Sequence, residues 1–162
     1  GKPGPFDASK GNVARAWKLY VMTVERAQFG VEKLIAGDTT IAGWIPLLSA
    51  VDGRITRDEL QAQVNPLRGR NPMGVFAAAR LQLASDAKAK LKLNAAGGTE
   101  IWANGKQVGR TREVSGDNSG LQSEIMVDLP QGKHTIVVRM DPKTLPDHLR
   151  LESSEGTFLV ED

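Results

Sequence analysis

The chain has 162 residues, of which 40% are hydrophobic and 25% charged, with a formal net charge of +2 and no cysteine. That is the profile of a globular protein with the length of one ordinary domain. The missing cysteines exclude disulfides, thiolate metal sites, cysteine nucleophiles and haem attached through a CxxCH motif. No run of about twenty apolar residues supplies a membrane span, and no charged-then-apolar leader reads as a signal peptide.

The opening stretch, residues 1–11, is rich in Gly, Pro and Lys and reads as a linker, with a single β-sandwich domain expected over 12–162. A leading Gly in place of Met is expected of a chain cut from a longer protein. Residues 12–30, NVARAWKLYVMTVERAQFG, fit two periods. Val13, Ala16, Trp17, Tyr20, Val21 and Val24 recur at helical spacing, whereas Trp17, Leu19, Val21 and Thr23 alternate as in a strand. The dense aromatic and β-branched centre, WKLYVMTV, favours the strand. In DGRITRDELQAQ (52–63), Thr56 and Glu59 have the spacing of a capping box, so one short helical turn is expected there. NPLRGRNPMG (65–74) carries two Asn-Pro pairs and two glycines and reads as a loop.

From residue 75 onward the pattern is period two. VFAAARLQLA (75–84) sets Val75, Ala77, Ala79, Leu81 and Leu83 on one face. AKAKLKLN (87–94) sets Ala87, Ala89, Leu91 and Leu93 against Lys88, Lys90 and Lys92. LQSEIMVDL (121–129) turns Leu121, Ile125, Val127 and Leu129 inward, and HTIVVRM (134–140) does the same with Ile136, Val138 and Met140. PQGK joins the last two as a turn, and GTFLVED reads as a closing strand. Short strands separated by turn residues give the expected fold: all-β, an antiparallel β-sandwich or barrel, with at most short helical turns. The lysines are dispersed along one strand face without interleaved aromatics. They form a solvated face that discourages edge pairing, not a nucleic-acid surface.

IWANGKQVG (101–109) is a strand, a two-residue turn and a strand. Asn-Gly suits a type I′ turn, whose central residues both need positive φ. With that turn Ala103 pairs with Lys106, Trp102 with Gln107 and Ile101 with Val108, so Trp102 and Ile101 face opposite sides of the sheet. Trp102 is either an inward or edge-packed ring or an outer-face platform for a ligand or partner.

The segment LKLNAAGGTEIWANGKQVG, followed by IMVDLPQGKHTIVVRM, resembles the central hairpin of galactose-binding-like and PA14-like β-sandwich domains. The likeness covers roughly residues 75–140. Such domains accompany glycoside hydrolases, and similar ones occur in exported planctomycete-type proteins beside haem-binding or membrane-bound dehydrogenase-like domains. GWIPLLSAVDGRITRDEL resembles the upstream part of the second group. The resemblance implies an antiparallel β-sandwich of the jelly-roll type that serves as a binding accessory domain. In PA14-like lectins adjacent aspartates before the Trp-x-Asn-Gly strand hold calcium. Here that loop reads NAAGG (94–98) and has no carboxylate, so no metal site is expected.

The candidate ligand-binding residues are therefore Trp102 and Asn104 on the hairpin, and Asp117 with Asn118 in the polar loop SGDNSG. No catalytic residue and no cofactor is expected. His134 and His148 have no partner at metal-binding or triad spacing, and no phosphate-binding glycine loop is present. The expected role is that of a non-catalytic accessory module of a larger exported bacterial protein, periplasmic or extracellular. It would bind carbohydrate or companion domains of the same polypeptide, with no nucleic acid and no membrane insertion. The alternative is a purely structural or interaction sandwich attached to an oxidoreductase.

Overall fold

The computed structural model describes residues 12–160. The linker expected over 1–11 and the last two residues lie outside the described residues. The chain forms two antiparallel sheets packed face to face, the all-β sandwich expected from the patterning.

In chain order the strands are β1 (Ala16–Thr23), β2 (Ile45–Leu48), β3 (Ile55–Thr56), β4 (Pro72–Leu83), β5 (Ala87–Ala95), β6 (Glu100–Ala103), β7 (Lys106–Arg110), β8 (Leu121–Leu129), β9 (Gly132–Met140), β10 (His148–Ser153) and β11 (Thr157–Phe158). The larger sheet runs β2-β1-β4-β9-β6-β7, with β11 pairing on β4 beyond the end of β1. The smaller runs β3-β10-β5-β8. The ambiguity over 12–30 resolves as a strand because both faces of β1 are covered. Trp17, Leu19 and Val21 enter the core between the sheets, and Tyr20 and Met22 enter a second apolar cluster on the outer face.

The main core follows the expected alternation. Val75, Ala77, Ala79, Leu81 and Leu83 of β4, with Ile136, Val138 and Met140 of β9, meet Ala89, Leu91 and Leu93 of β5 and Ile125 and Leu129 of β8. Each fully buried Leu or Ile contributes about 1.5–3 kcal/mol relative to exposure. On the solvent side of the smaller sheet Lys88 stands opposite Asp128 and Lys92 opposite Glu124. The expected lysine face is thus a ladder of alternating charge.

The second layer is less visible in the sequence. No periodicity marks residues 24–44, yet they cover the outer face of the larger sheet with a 3-10 turn at Arg26–Phe29 and a short helix α1 (Glu32–Ile35). Leu34 is buried there with Tyr20, Met22, Phe76, Ala78, Trp102 and Val137.

Three local expectations are corrected. The single helical turn after Thr56 is an eight-residue helix α2 (Arg57–Val64) that continues as a 3-10 helix over Asn65–Arg70. The capping box itself is present, with the Glu59 backbone N–H donating to Thr56 Oγ1 at 3.2 Å and the Thr56 N–H donating to Glu59 Oε1 at 2.9 Å. The loop read over 65–74 is therefore largely helical. Pro66 near the start of the 3-10 helix has the right fixed φ, and Asn71, with φ 55°, turns the chain into β4. In the hairpin, Ile101 pairs with Gly109 and not with Val108, because a bulge shifts the register between Ile101 and Trp102. A Cβ at position 109 would lie 2.9 Å from Ile125 of the facing sheet, so the strand's closest approach falls on the glycine.

Candidate functional site

The four candidate residues fall into two groups at opposite ends of β6. Trp102 lies, as its pairing with Gln107 requires, on the face opposite Ile101. It is only 7% exposed, packed beneath the layer formed by residues 24–44. Of the two readings of Trp102 the packed ring holds and the exposed platform is corrected: the outer face it occupies is roofed, and its ring is core. Asn104 occupies the turn with φ 53°, next to Gly105 with φ 85°, the signs a type I′ turn demands. Its amide is engaged by the neighbouring strand, with Thr135 N–H donating to Oδ1 at 2.9 Å and Nδ2 lying 2.8 Å from His134 Nδ1.

Asp117 and Asn118 stand at the other end, where they help to wall a cleft of about 560 Å³. That volume is within the range of small-molecule sites. The cleft is built from four pieces of chain. The first, residues 96–99, is fixed from below by two buried threonines. Thr99 N–H donates to Thr111 Oγ1 at 2.7 Å, and both hydroxyls donate to the Ala96 carbonyl, at 2.7 and 2.6 Å. The second, the 111–119 loop, is wound around the Asn118 side chain. Val114 N–H donates to Asn118 Oδ1 at 2.7 Å, and Asn118 Nδ2 donates to the carbonyls of Val114 and Gly116 at 2.7 and 3.0 Å. Gly97 N–H donates to the Asn118 carbonyl at 2.8 Å, tying the first piece to the second. Asn118 thus organises the wall, since both amide protons are spent inside the loop.

The third piece is α2, which contributes Arg57 from its first turn and Gln61 from its second, with Arg68 from the 3-10 helix. Arg57 donates through Nη2 to Asp147 Oδ1 at 2.9 Å and through Nε to the Leu145 carbonyl at 3.2 Å. Ser119 Oγ donates to the same Asp147 oxygen at 3.2 Å, so the carboxylate joins helix, loop and strand. The fourth piece, residues 142–145, adds Lys143 and Thr144, and Arg68 donates to the Pro142 carbonyl at 3.2 Å. Glu113 and Asp117 supply negative charge opposite these cations.

Asp117 is exposed and its carboxyl is held below the ordinary carboxylate range, chiefly by hydrogen bonds from the Ser119 side chain and backbone. It is therefore an ionised acceptor at neutral pH. His148, the other histidine considered, opens β10 opposite Thr56. Burial first, and then the charge of Arg54, push it below the usual imidazole value. Among the described residues no group of three or more His, Asp or Glu is placed to hold a metal ion. None of their helices is long and apolar enough to cross a membrane.

Sequence reasoning singled out Asp117 and Asn118 but missed Arg57, Gln61, Arg68 and Lys143. Arg57 was within reach of it, because the capping box at Thr56 places Arg57 at the exposed first helical position. The remaining three depend on where helix and loop pack, which no local pattern encodes.

No family model matches the sequence, and no curated protein matches it. Solved structures do resemble it in fold. One is a β-glucosidase from Kluyveromyces marxianus, 11% identical with a TM-score of 0.52, aligned over 91% of this chain and 18% of that one. Another is a PA14 sugar-binding domain from an RTX adhesin, 12% identical with a TM-score of 0.45 over 90% and 94% of the two chains. A family 35 carbohydrate-binding module from Cellvibrio japonicus is 17% identical with a TM-score of 0.42 over 56% and 72%. The β-glucosidase likeness is one of fold, a β-sandwich, and of fold alone.

Proposed function

We propose that this chain is a non-catalytic accessory module whose end cleft binds a hydroxyl-rich ligand of the carbohydrate class. The carrying observation is the cleft itself: hydrogen-bonded walls, a polar rim and side chains of both donor and acceptor character lining one volume. Arg57, Gln61 and Lys143 donate, and Asp117, Glu113 and Thr144 accept. A saccharide presents alternating donors and acceptors of this kind. The part of the β-glucosidase chain that shares this fold supports the association with a sugar-processing parent. Binding is the reading: Asp117, its carboxyl held below the ordinary range by hydrogen bonds from Ser119, serves as an acceptor for a hydroxyl. We place the module in an exported bacterial protein, periplasmic or extracellular, on the resemblance of its hairpin to that of such domains.

The experiment is a glycan-array screen of the chain, followed by calorimetric titration of any hit against Asp117→Ala. Binding that is abolished in the variant supports the reading. Silence across neutral and acidic glycans, or binding indifferent to Asp117→Ala, overturns it.

One observation favours docking to companion domains as a second role. Ile45 and Leu48 of the edge strand β2, with Val51 beyond it, are 38%, 62% and 74% exposed. Apolar side chains gathered on an open sheet edge are a surface that partners cover. Titration of the module with its neighbouring domain, using Leu48→Lys as control, tests it.

A further inference from the structure

The hairpin tip takes no part in the cleft, yet it holds the one Asn-Gly step in the sequence. Of the six asparagines, only Asn104 is followed by glycine; Asn65 and Asn71 precede proline, which has no N–H. Before glycine no Cβ hinders the following backbone nitrogen. We propose that Asn104 is the deamidation site of this chain, and that His134 and Thr135 hold the reaction in check while the protein is folded.

The reaction needs only water. The Gly105 nitrogen attacks Asn104 Cγ, forming a new C–N bond. The Cγ–Nδ2 bond breaks, and Nδ2 leaves as ammonia carrying the proton lost from the Gly105 nitrogen. Water then opens the five-membered imide at either carbonyl, leaving aspartate or isoaspartate at 104. For attack, Cγ must swing onto the Gly105 nitrogen.

In the fold that swing is opposed from three directions. Thr135 N–H donates to Asn104 Oδ1 at 2.9 Å, and Asn104's own backbone N–H donates to the Thr135 carbonyl at 2.8 Å. The third restraint is His134, which is 5% exposed. Its Nε2 lies 2.6 Å from the Pro130 carbonyl. A carbonyl only accepts, so Nε2 carries the ring proton and Nδ1 accepts from Asn104 Nδ2 at 2.8 Å. The amide is thus bound by both its atoms toward β9. The product would also lose its place, since a carboxylate oxygen would face the accepting Nδ1 with no proton to share.

The test is incubation of the chain in mildly alkaline buffer at 37 °C, folded and in urea, with the amide-to-acid mass gain located by peptide mapping. The expected result is rapid conversion at Asn104 in urea and slow conversion when folded. In folded His134→Ala conversion should rise about tenfold, the factor that one ordinary hydrogen bond yields in an opening equilibrium. Hydrogen exchange at the Thr135 amide, read in the same samples, shows whether the turn has opened. Leu91→Ala, which loosens the distant core of the other sheet, is the control and should leave the folded rate near the parent's. Equal rates in folded and unfolded chain would overturn the proposal. So would a folded His134→Ala no faster than the parent, or a Leu91→Ala as fast as His134→Ala.

Discussion

Arg57 and Asp147 are joined at 2.9 Å across 90 residues of sequence, and through this pair the first turn of α2 is bound to the start of β10 at the rim of the cleft. The two side chains are 40% and 55% exposed. An ion pair so open to solvent contributes about 0–1 kcal/mol to stability. Its role is positional: it fixes a guanidinium in the wall of the cleft. Arg57→Ala should therefore lower stability by about 1 kcal/mol at most while removing ligand binding. Chemical denaturation and calorimetry on the same preparation separate the two effects. A large loss of stability with binding intact would assign Arg57 to the scaffold.

The capping box predicts a different balance. Thr56→Ala removes the acceptor for the Glu59 N–H and should cost about 1 kcal/mol. Because α2 carries Leu60 and Val64 into the core, that cost is felt by the whole domain and not by a frayed helix. Urea denaturation is the measurement; a midpoint unchanged within error would mean that packing alone holds α2.

The way these predictions divide follows what the chain encodes locally. Alternation in β4, β5, β8 and β9 places their core residues without ambiguity, since a one-residue slip would turn every side chain to the other face. The Thr56–Glu59 spacing and the Asn104-Gly105 turn were legible for the same reason: each is a contact within four residues. The layer over residues 24–44 was not, because its apolar residues lack a period and find their partners on β4, β6 and β9. Trp102 shows the consequence. Its face was readable from the turn, but whether that face met solvent depended on a layer that no local pattern announces. The cleft was half legible for a related reason. Asp117 and Asn118 announce a polar loop, whereas Arg57 and Lys143 reach it only through the packing of α2 and the 142–145 segment.

Acid should weaken the fold through His148. Its folded pKa is depressed by burial and then by Arg54, so between that value and about 6.5 the unfolded chain binds the proton more readily. The associated stability is fully present above about pH 6.5 and is lost as pH falls below it. Asp38 and Asp117, whose folded values are also lowered, act in the lower carboxylate window; their contribution is present above about pH 4 and is lost on further acidification. His148→Gln should flatten the decline just below neutrality and leave the lower one in place. Melting temperatures between pH 4 and 8 provide the check, and parallel curves for parent and variant would refute it.

The hairpin register gives a sharper structural test. Gly109 faces Ile125 so closely that a Cβ there would lie 2.9 and 3.1 Å from its side-chain carbons. Gly109→Val should force the two sheets apart at this edge and cost about 1–3 kcal/mol, as overpacking does. Val108→Gly, one residue away at the bulge, should cost less, because Val108 is only partly buried against the core. If instead Ile101 paired with Val108, the order of the two effects would reverse.

Trp102 carries the last prediction. Its ring is 7% exposed and shares a cluster with Tyr20, Met22, Leu34, Phe76 and Val137, beneath residues that belong to no sheet. Truncation to alanine removes the largest side chain from that layer and leaves a cavity under α1, so Trp102→Ala should destabilise the protein by about 3–5 kcal/mol. The damage should begin locally. Amide exchange over residues 26–37 should rise before the β4–β9 ladder loses protection, because the cover rests on the ring while the main core lies on the sheet's other side. Trp102→Phe keeps most of the buried area and should recover much of the loss. Binding at the cleft, formed at the far end of β6, should survive in every Trp102 variant that remains folded. A Trp102→Ala protein that melts like the parent, or that keeps its fold but loses ligand, would place the ring in the binding surface instead of the core.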